Sequence, residues 1–297
     1  MADGVIIIDK GEGITSFGAV GAVRRLLGEK KAGHTGTLDP LATGVLPVLV
    51  GRGVKASEFM ICSDKHYIAT LLLGVSTDTE DVTGEVLSEC GDIPAESRVR
   101  EVIATFIGES EQIPPMYSAL KVGGKKLCDL ARAGVTVERE PRRITVFGIG
   151  VERISEREYT LDVECSKGTY IRTLCADIGR ALGCGGTMKT LRRAEAAGYT
   201  LADAVTLDQL EGMSDEERLE RVLPIESIFS DKREIKLPPF FARLARSGLE
   251  IYLKKIGECG EVGEKIRLSD EGGFFALGEV REYEDGLAIK PIRQFVI

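Results

Sequence analysis

Residues 33–51 read Gly33-His34-Thr35-Gly36-Thr37-Leu38-Asp39-Pro40-Leu41-Ala42-Thr43-Gly44, then the apolar run VLPVLVG. Glycine, threonine and proline punctuate the first twelve positions, which read as a loop, and the apolar run reads as a strand. Glycines let a backbone approach a ligand closely, and threonines could donate hydrogen bonds to the single acid, Asp39. An Asp-Pro step is by itself a turn signal, so from these residues alone Asp39 is either a turn former or a reactive carboxylate. A phosphate loop is excluded: neither this stretch nor GRGVKAS at 51–57 has the G-x-x-x-x-G-K-[ST] spacing.

Upstream, VIIID at 5–9 is a buried-strand candidate. Thr15-Ser16 offers an N-cap to a helix carrying Phe17, Val20, Val23 and Leu27, stopped by Gly28. Downstream, a short helix is expected over 54–62 and a strand over 67–73. An amphipathic helix should carry Val99, Val102, Ile103, Phe106 and Ile107, and another spans 126–132 before Gly134. Strands at 143–151 and 159–165 precede a helix from Tyr170 to Leu182 closed by Gly183, after which GCGGTMKTL at 183–191 is less regular. Residues 201–226 read as helical and acidic, with a capping box at Ser214 and Glu217. From about 231 short strands take over (IYLKK, KIRLSD, FFALGEV, LAIKPI), a small all-β appendage. Hairpin strands alternating with helices indicate an α+β fold: a mixed or antiparallel central sheet flanked by helices over 1–230, and a β-rich domain over 231–297.

The chain has 297 residues, 43% of them apolar and 29% charged, an ordinary globular composition. Seven cysteines in no C-x-x-C spacing imply a reducing cytoplasm and no zinc ribbon. Two histidines, His34 and His66, are too few for clustered metal sites or most histidine-based triads, so chemistry falls to carboxylate, Tyr, Lys or Arg. No segment has the length and apolarity of a membrane span. The net charge of −8 speaks against a basic nucleic-acid binder, but it is unevenly spread. Residues 78–101 and 201–230 each hold eight acids and two bases, whereas 121–143 holds seven bases (Lys121, Lys125, Lys126, Arg132, Arg139, Arg142, Arg143) and three acids. That stripe is either a solvated face or a phosphate-contacting surface, with the two acidic stretches expected away from any nucleic acid.

The stretch GHTGTLDPLATGVLPVLVG resembles the signature of the TruB family of tRNA pseudouridine synthases. Similar support comes from QIPPMYSALK at 112–121, GGKKL at 123–127, CSKGTYIRTL at 165–174, LRR at 191–193 and FFALGEV at 274–280. The resemblance implies isomerisation of uridine to pseudouridine at position 55 of the tRNA T loop, with no cofactor and no metal. It implies that Asp39 is the family aspartate, Arg172 its ion-pair partner that keeps it charged, and Tyr67 the tyrosine that stacks on the displaced base and handles the C5 proton. His34 would fill the gap left by the extruded nucleotide, Lys55 would lie near the site, and Leu191 would form an apolar wall. Lys121, Lys125 and Lys126 are the stripe residues expected on RNA. The β appendage is similar to a PUA-type RNA-binding domain, and the chain looks like the stand-alone bacterial form: cytoplasmic, monomeric, with the tRNA T arm as partner and no obligate protein partner.

Two other readings are an RNA-binding or tRNA-folding chaperone without catalysis, and a glycoside hydrolase, which would need a second acid that the Asp39 motif does not supply. The stripe has a direct test. Replacing Lys125 and Lys126 by Ala is expected to weaken tRNA binding and to flatten the slope of log K against log salt by roughly 2. An unchanged slope would mean a solvated face.

Overall fold

The computed structural model describes residues 2–61 and 63–296, so Met1, Cys62 and Ile297 lie outside it. Strand β1 (Gly4–Lys10) is apolar from Val5 to Ile8 because both faces are covered there: Ile6 and Ile8 enter the main core, Val5 and Ile7 a smaller one with Leu49 and Met60. Helix α1 (Ser16–Leu26) is capped by the Thr15 hydroxyl, which accepts from Gly18 N, and Gly28 with positive φ follows it. Its inward positions are 16, 19, 20 and 23. Phe17, expected on that face, is 79% exposed, since it lies about 100° round the helix from Ser16.

Strands β2 (Ala32–His34) and β3 (Thr43–Val50) flank the punctuated loop. A 3₁₀ turn over Gly51–Ala56 leads to α2 (Ser57–Ile61), the portion of the expected 54–62 helix that is described; Cys62 is outside. Then come β4 (Lys65–Leu73), the hairpin β5 (Val75–Thr77) and β6 (Val86–Glu89), α3 (Glu96–Ala104) and β7 (Gly108–Gln112). Helix α3 ends early, leaving Phe106 and Ile107 in the turn that follows. A small hairpin, β8 (Lys121–Val122) and β9 (Lys125–Lys126), precedes α4 (Leu127–Arg132), β10 (Arg142–Arg153), β11 (Glu158–Cys165), α5 (Ile171–Leu182) and β12 (Gly186–Ala196).

The acidic segment beyond β13 (Tyr199–Thr200) and β14 (Val205–Thr206) is two short helices rather than one, α6 (Leu207–Gly212) and α7 (Asp215–Glu220), followed by β15 (Leu223–Pro224). The Ser214–Glu217 capping box opens α7, and a second box, Thr206–Gln209, opens α6. The C-terminal part contains β16 (Glu234–Lys236), α8 (Pro239–Arg246), β17 (Ile251–Tyr252), α9 (Leu253–Ile256), β18 (Lys265–Asp270), β19 (Gly273–Tyr283) and β20 (Gly286–Gln294). It is β-rich but not all-β. Helix α8 starts on Pro239 and buries Ala242 and Ala245 one turn apart, and only the first two residues of IYLKK are extended.

Among the described residues the large sheet has eleven strands, ordered β14-β1-β3-β12-β4-β11-β10-β7, with β13, β15 and β2 pairing off that line. Neighbours are mostly antiparallel, but β12 runs parallel to β3 and β14 to β1, so the central sheet is mixed, as expected. Pro47 is tolerated inside β3 because β12 pairs only with Thr43 and Gly44 and β2 only from Val48 on, leaving its unbonded side free of a ladder. The stretch read as irregular, 183–191, leads into β12, a central strand. Register shifts at Met188/Thr190 and Arg193/Glu195 break its two-residue alternation and hide it from pattern reading.

The second sheet, β16-β18-β19-β20-β17, has its own core around Leu268 and Phe275. It meets the first through a cluster in which Phe229 packs against Phe59, Phe274 and Phe295. Among the described residues no helix is long and apolar enough to cross a membrane.

The β3–β12 crossing depends on Gly44, whose φ is +103° and whose added Cβ would stand 2.2 Å from the Arg193 carbonyl oxygen. Gly44→Ala is expected to cost about 3 kcal/mol or more in denaturant unfolding. Gly21→Ala, in α1 with nothing within 4 Å of the new carbon, should instead stabilise by about 0.5–1 kcal/mol.

Candidate active site

The loop between β2 and β3 is pinned on both sides of Asp39. The Leu38 side chain is buried, and its backbone N–H donates to Ser16 Oγ (2.7 Å), which returns a bond to the Leu38 carbonyl (2.8 Å). The Pro40 carbonyl accepts from Gly13 N–H (2.8 Å), and Ala42 N–H donates to the Asp39 carbonyl (3.0 Å). Lys10, fully buried, donates to the carbonyls of Gly11 and Ile14 (both 2.8 Å) and so holds the turn that Gly13 belongs to. The Asp39 side chain, 36% exposed, is thereby presented outward by a fixed backbone. Its ion-pair partner is Arg172 (Nε to Oδ2, 3.1 Å) rather than the loop threonines expected to donate to it.

Arg172 stands in the first turn of α5 with 6% of its side chain exposed. A guanidinium that buried needs acceptors in every direction. Nη1 donates to the Thr79 carbonyl (3.1 Å) and faces Asp81 Oδ2 (3.5 Å), and Nη2 donates to the Tyr117 carbonyl (2.8 Å). Asp81 is itself held by Thr79 Oγ1 (2.9 Å), Thr83 N–H (3.0 Å) and Thr83 Oγ1 (2.5 Å). The acidic stretch from 78 therefore does not lie wholly away from the site: its first turn forms the wall behind Arg172. Sequence reading missed Asp81, although the Thr-Glu-Asp-Val-Thr-Gly run at 79–84 is a recognisable turn signal.

Gln112 is a second missed residue. Its amide accepts from Tyr170 N–H (2.8 Å) and donates to the Tyr170 carbonyl (3.0 Å), fixing the approach to α5.

Tyr67 on β4 and Arg193 on β12 are direct cross-strand partners, and Ala69 and Leu191 are the next such pair on the same face. With the Asp39 loop, Ser118–Leu120 and Tyr170–Arg172 they enclose a cavity of about 560 Å³. Asp39, Tyr67, Arg172 and Leu191 thus meet in one place, joined by Lys65, Tyr170 and Arg193, which sequence reading did not single out. Lys121, Lys125 and Lys126 are exposed on the β8–β9 hairpin directly after the cavity-lining Leu120, whose carbonyl accepts from Leu127 N–H (2.7 Å). Arg139 of the same stripe turns inward and donates to the Pro114 carbonyl (3.0 Å).

His34 and Lys55 are not brought to the cavity wall. His34, half-buried on β2, has an Nδ1 without a hydrogen-bond partner, and burial and the Arg193 charge push its pKa down, so the ring is neutral at pH 7. Lys55 donates to the Gln294 carbonyl (3.2 Å) at the junction with the second sheet.

Burial raises the Asp39 carboxyl above its ordinary value; Arg172 opposes that, Asp81 adds to it, and Lys10 opposes it. Arg172, the partner that the resemblance expects to keep the acid charged, limits a rise rather than producing a fall. Burial also raises the Tyr67 phenol, with Arg193 acting against it. The thiols Cys165 and Cys175 are pushed up to about 11 and about 12 by burial, too high for nucleophiles. Among the described residues no group of three or more His, Cys, Asp or Glu could hold a metal ion. What remains is a carboxylate, a phenol and an apolar wall around a space for a planar ring.

Residues 24–171 match the N-terminal domain of the TruB family of pseudouridylate synthases, and residues 172–230 match the C-terminal domain of tRNA pseudouridylate synthase B. The chain is 43% identical over 295 residues to the tRNA pseudouridine synthase B of Clostridium kluyveri, covering 99% of this chain and 100% of that one. It is 41% identical over 279 residues to the protein of the same name from Aromatoleum aromaticum, covering 94% and 89%. Among solved structures it is similar to the crystal structure of a Cbf5-Nop10-Gar1 complex, with TM-score 0.72 and 25% identity, covering 99% of this chain and 85% of that one.

With its carboxyl raised in the folded state, Asp39 binds its proton more tightly there than in the unfolded chain, so its contribution to stability falls as pH rises between the two values. Any activity needing the ionised acid should show an acid limb above the ordinary carboxylate range. Arg172→Met, which removes the main opposing charge, should move that limb to still higher pH in a pH–rate profile.

Proposed function

The chain belongs to the TruB family of pseudouridylate synthases, and from that premise we propose that it isomerises uridine 55 in the T loop of tRNA. The observation that carries this reading is the Asp39–Arg172 ion pair (3.1 Å) opening onto a cavity that also holds Tyr67 and Leu191. A uridine stacked in its loop cannot reach Asp39, so the nucleotide must swing out, and the ring then lies against Tyr67 and Leu191. His34, neutral and with a free Nδ1, fills the space the base leaves.

The reaction breaks N1–C1′, turns the uracil and forms C5–C1′, with net transfer of one proton from C5 to N1. Asp39 serves as nucleophile at C1′ or as base for the 2′ proton, and both roles need the ionised carboxylate that Arg172 favours. The Tyr67 hydroxyl, donor and acceptor at one oxygen, relays the C5 proton. These steps require no metal or organic cofactor.

The T arm is read by shape, with the β8–β9 hairpin and its three lysines on the phosphate backbone. We assign 1–230 to catalysis and 231–297, with its separate sheet and core, to a PUA-like RNA-binding domain. The protein works alone as a cytoplasmic monomer.

Asp39→Asn is the deciding variant. With an unmodified tRNA transcript and pseudouridine mapped by position, the wild type should modify position 55. The variant should form none while binding tRNA within about threefold of wild type, a difference of less than about 1 kcal/mol. Full activity of Asp39→Asn would overturn the assignment, and a wild type that binds but never isomerises would favour the chaperone reading.

A further inference from the structure

We propose that Arg193 is a positioning residue for the proton relay: its buried guanidinium orients the Tyr67 hydroxyl and ties the strand that bears it to the loop that bears Asp39. The inference rests on the relay role given to Tyr67 above.

Arg193 is 1% exposed and the largest of the fully buried side chains. Buried guanidinium groups are normally paired with carboxylates, because leaving an unpaired charge out of water is costly. Arg172, 6% exposed, follows that rule and is paired with Asp39 and Asp81. Arg193 does not; among the described residues it has no ion pair, and its Nε and Nη2 donate to the carbonyls of Val45 (2.7 Å) and Gly36 (3.1 Å). Neutral donors could serve two carbonyls. A retained positive charge points to a charged or charge-developing neighbour.

The geometry identifies that neighbour. Arg193 is the direct cross-strand partner of Tyr67, on the same face, and both line the cavity. The guanidinium charge opposes the rise that burial produces in the Tyr67 phenol. On its other side the bare backbone of Gly36 lies against it: a Cβ there would stand 3.4 Å from Nη1, and Gly36 is three residues before Asp39. A phenol that passes a proton from C5 gathers negative charge on its oxygen as its own proton departs. A fixed cation at that oxygen stabilises this charge without reorganisation.

A double-mutant cycle tests the idea, using single-turnover pseudouridine formation on an unmodified T-arm stem-loop with wild type, Arg193→Lys, Tyr67→Phe and the double variant. Arg193→Lys should lower the rate about tenfold or more with stem-loop affinity within about twofold, and should add less than about a twofold loss in the Tyr67→Phe background. A slower rate that recovers as pH rises would support the same link. Equal losses in both backgrounds, or a rate within about twofold of wild type, would overturn it.

Should Arg193→Lys not melt cooperatively, the Arg193 Nη1 resonance is compared between wild type and Tyr67→Phe by nitrogen-15 NMR. A shift supports the contact, and an unmoved resonance overturns it. Failure of wild type to form pseudouridine at all would refute the proposed function instead, and the NMR comparison would still decide the Arg193–Tyr67 contact.

Discussion

A guanidinium with 6% of its surface in water must be surrounded by acceptors, and in this chain three separate segments converge on α5 to supply them to Arg172. The loop before β3 brings Asp39, the turn after β5 brings the Thr79 carbonyl and Asp81, the run after β7 brings the Tyr117 carbonyl, and α5 carries the arginine itself. None of these segments is close to another in sequence. Three of them have their own anchors: Ser16 for the Asp39 loop, Thr83 for Asp81, and Gln112 for the residue ahead of α5. The site is therefore rigid in the parts that hold charge, while the lysine hairpin stands exposed beside it.

The same burial sets the electrostatics. Partial burial of Asp39 favours its protonated form, and the nearby cations, Arg172 above Lys10, keep the rise in check. Asp81 works against ionisation of Asp39, yet it also faces the far side of the guanidinium, so one acid steadies the arginine while the other faces the cavity. For a related reason the net charge of −8 does not argue against RNA binding. Acidic side chains of the 78–101 stretch are partly spent inside the protein, on Arg172 and Thr173, rather than presented as a repulsive surface.

Legibility of the fold in the sequence followed the strength of the local signal. β1 and β3 were readable because strands covered on both faces are apolar without interruption, and α5 was readable from its period and Gly183. β12 was not, because two register shifts break its alternation and its buried face includes a charged residue, Arg193. Helix α8 was hidden by its neighbours: eight residues between short strands carry too few turns to outweigh them. Phe17 reads as inward on type alone, whereas Ser16 takes the inward place for the bonds it makes to Leu38.

The site divides in the same way. Asp39, Tyr67, Arg172 and Leu191 could be named as candidates through the resemblance carried by long motifs, whereas their residue types alone left turn, core and ion-pair readings open. Asp81, Gln112 and Arg193 could not: an acid in an acidic run, an amide beside two prolines and one arginine of a pair look like surface residues until their partners are known. Sequence by itself determined most element types and a sheet either mixed or antiparallel, since local period is a local property, and its long motifs singled out the candidate groups. Only the tertiary structure decided which groups face one another, that Lys55 turns to the second sheet, and that Asp39 is raised rather than depressed. Burial and the field of distant charges belong to the folded chain as a whole.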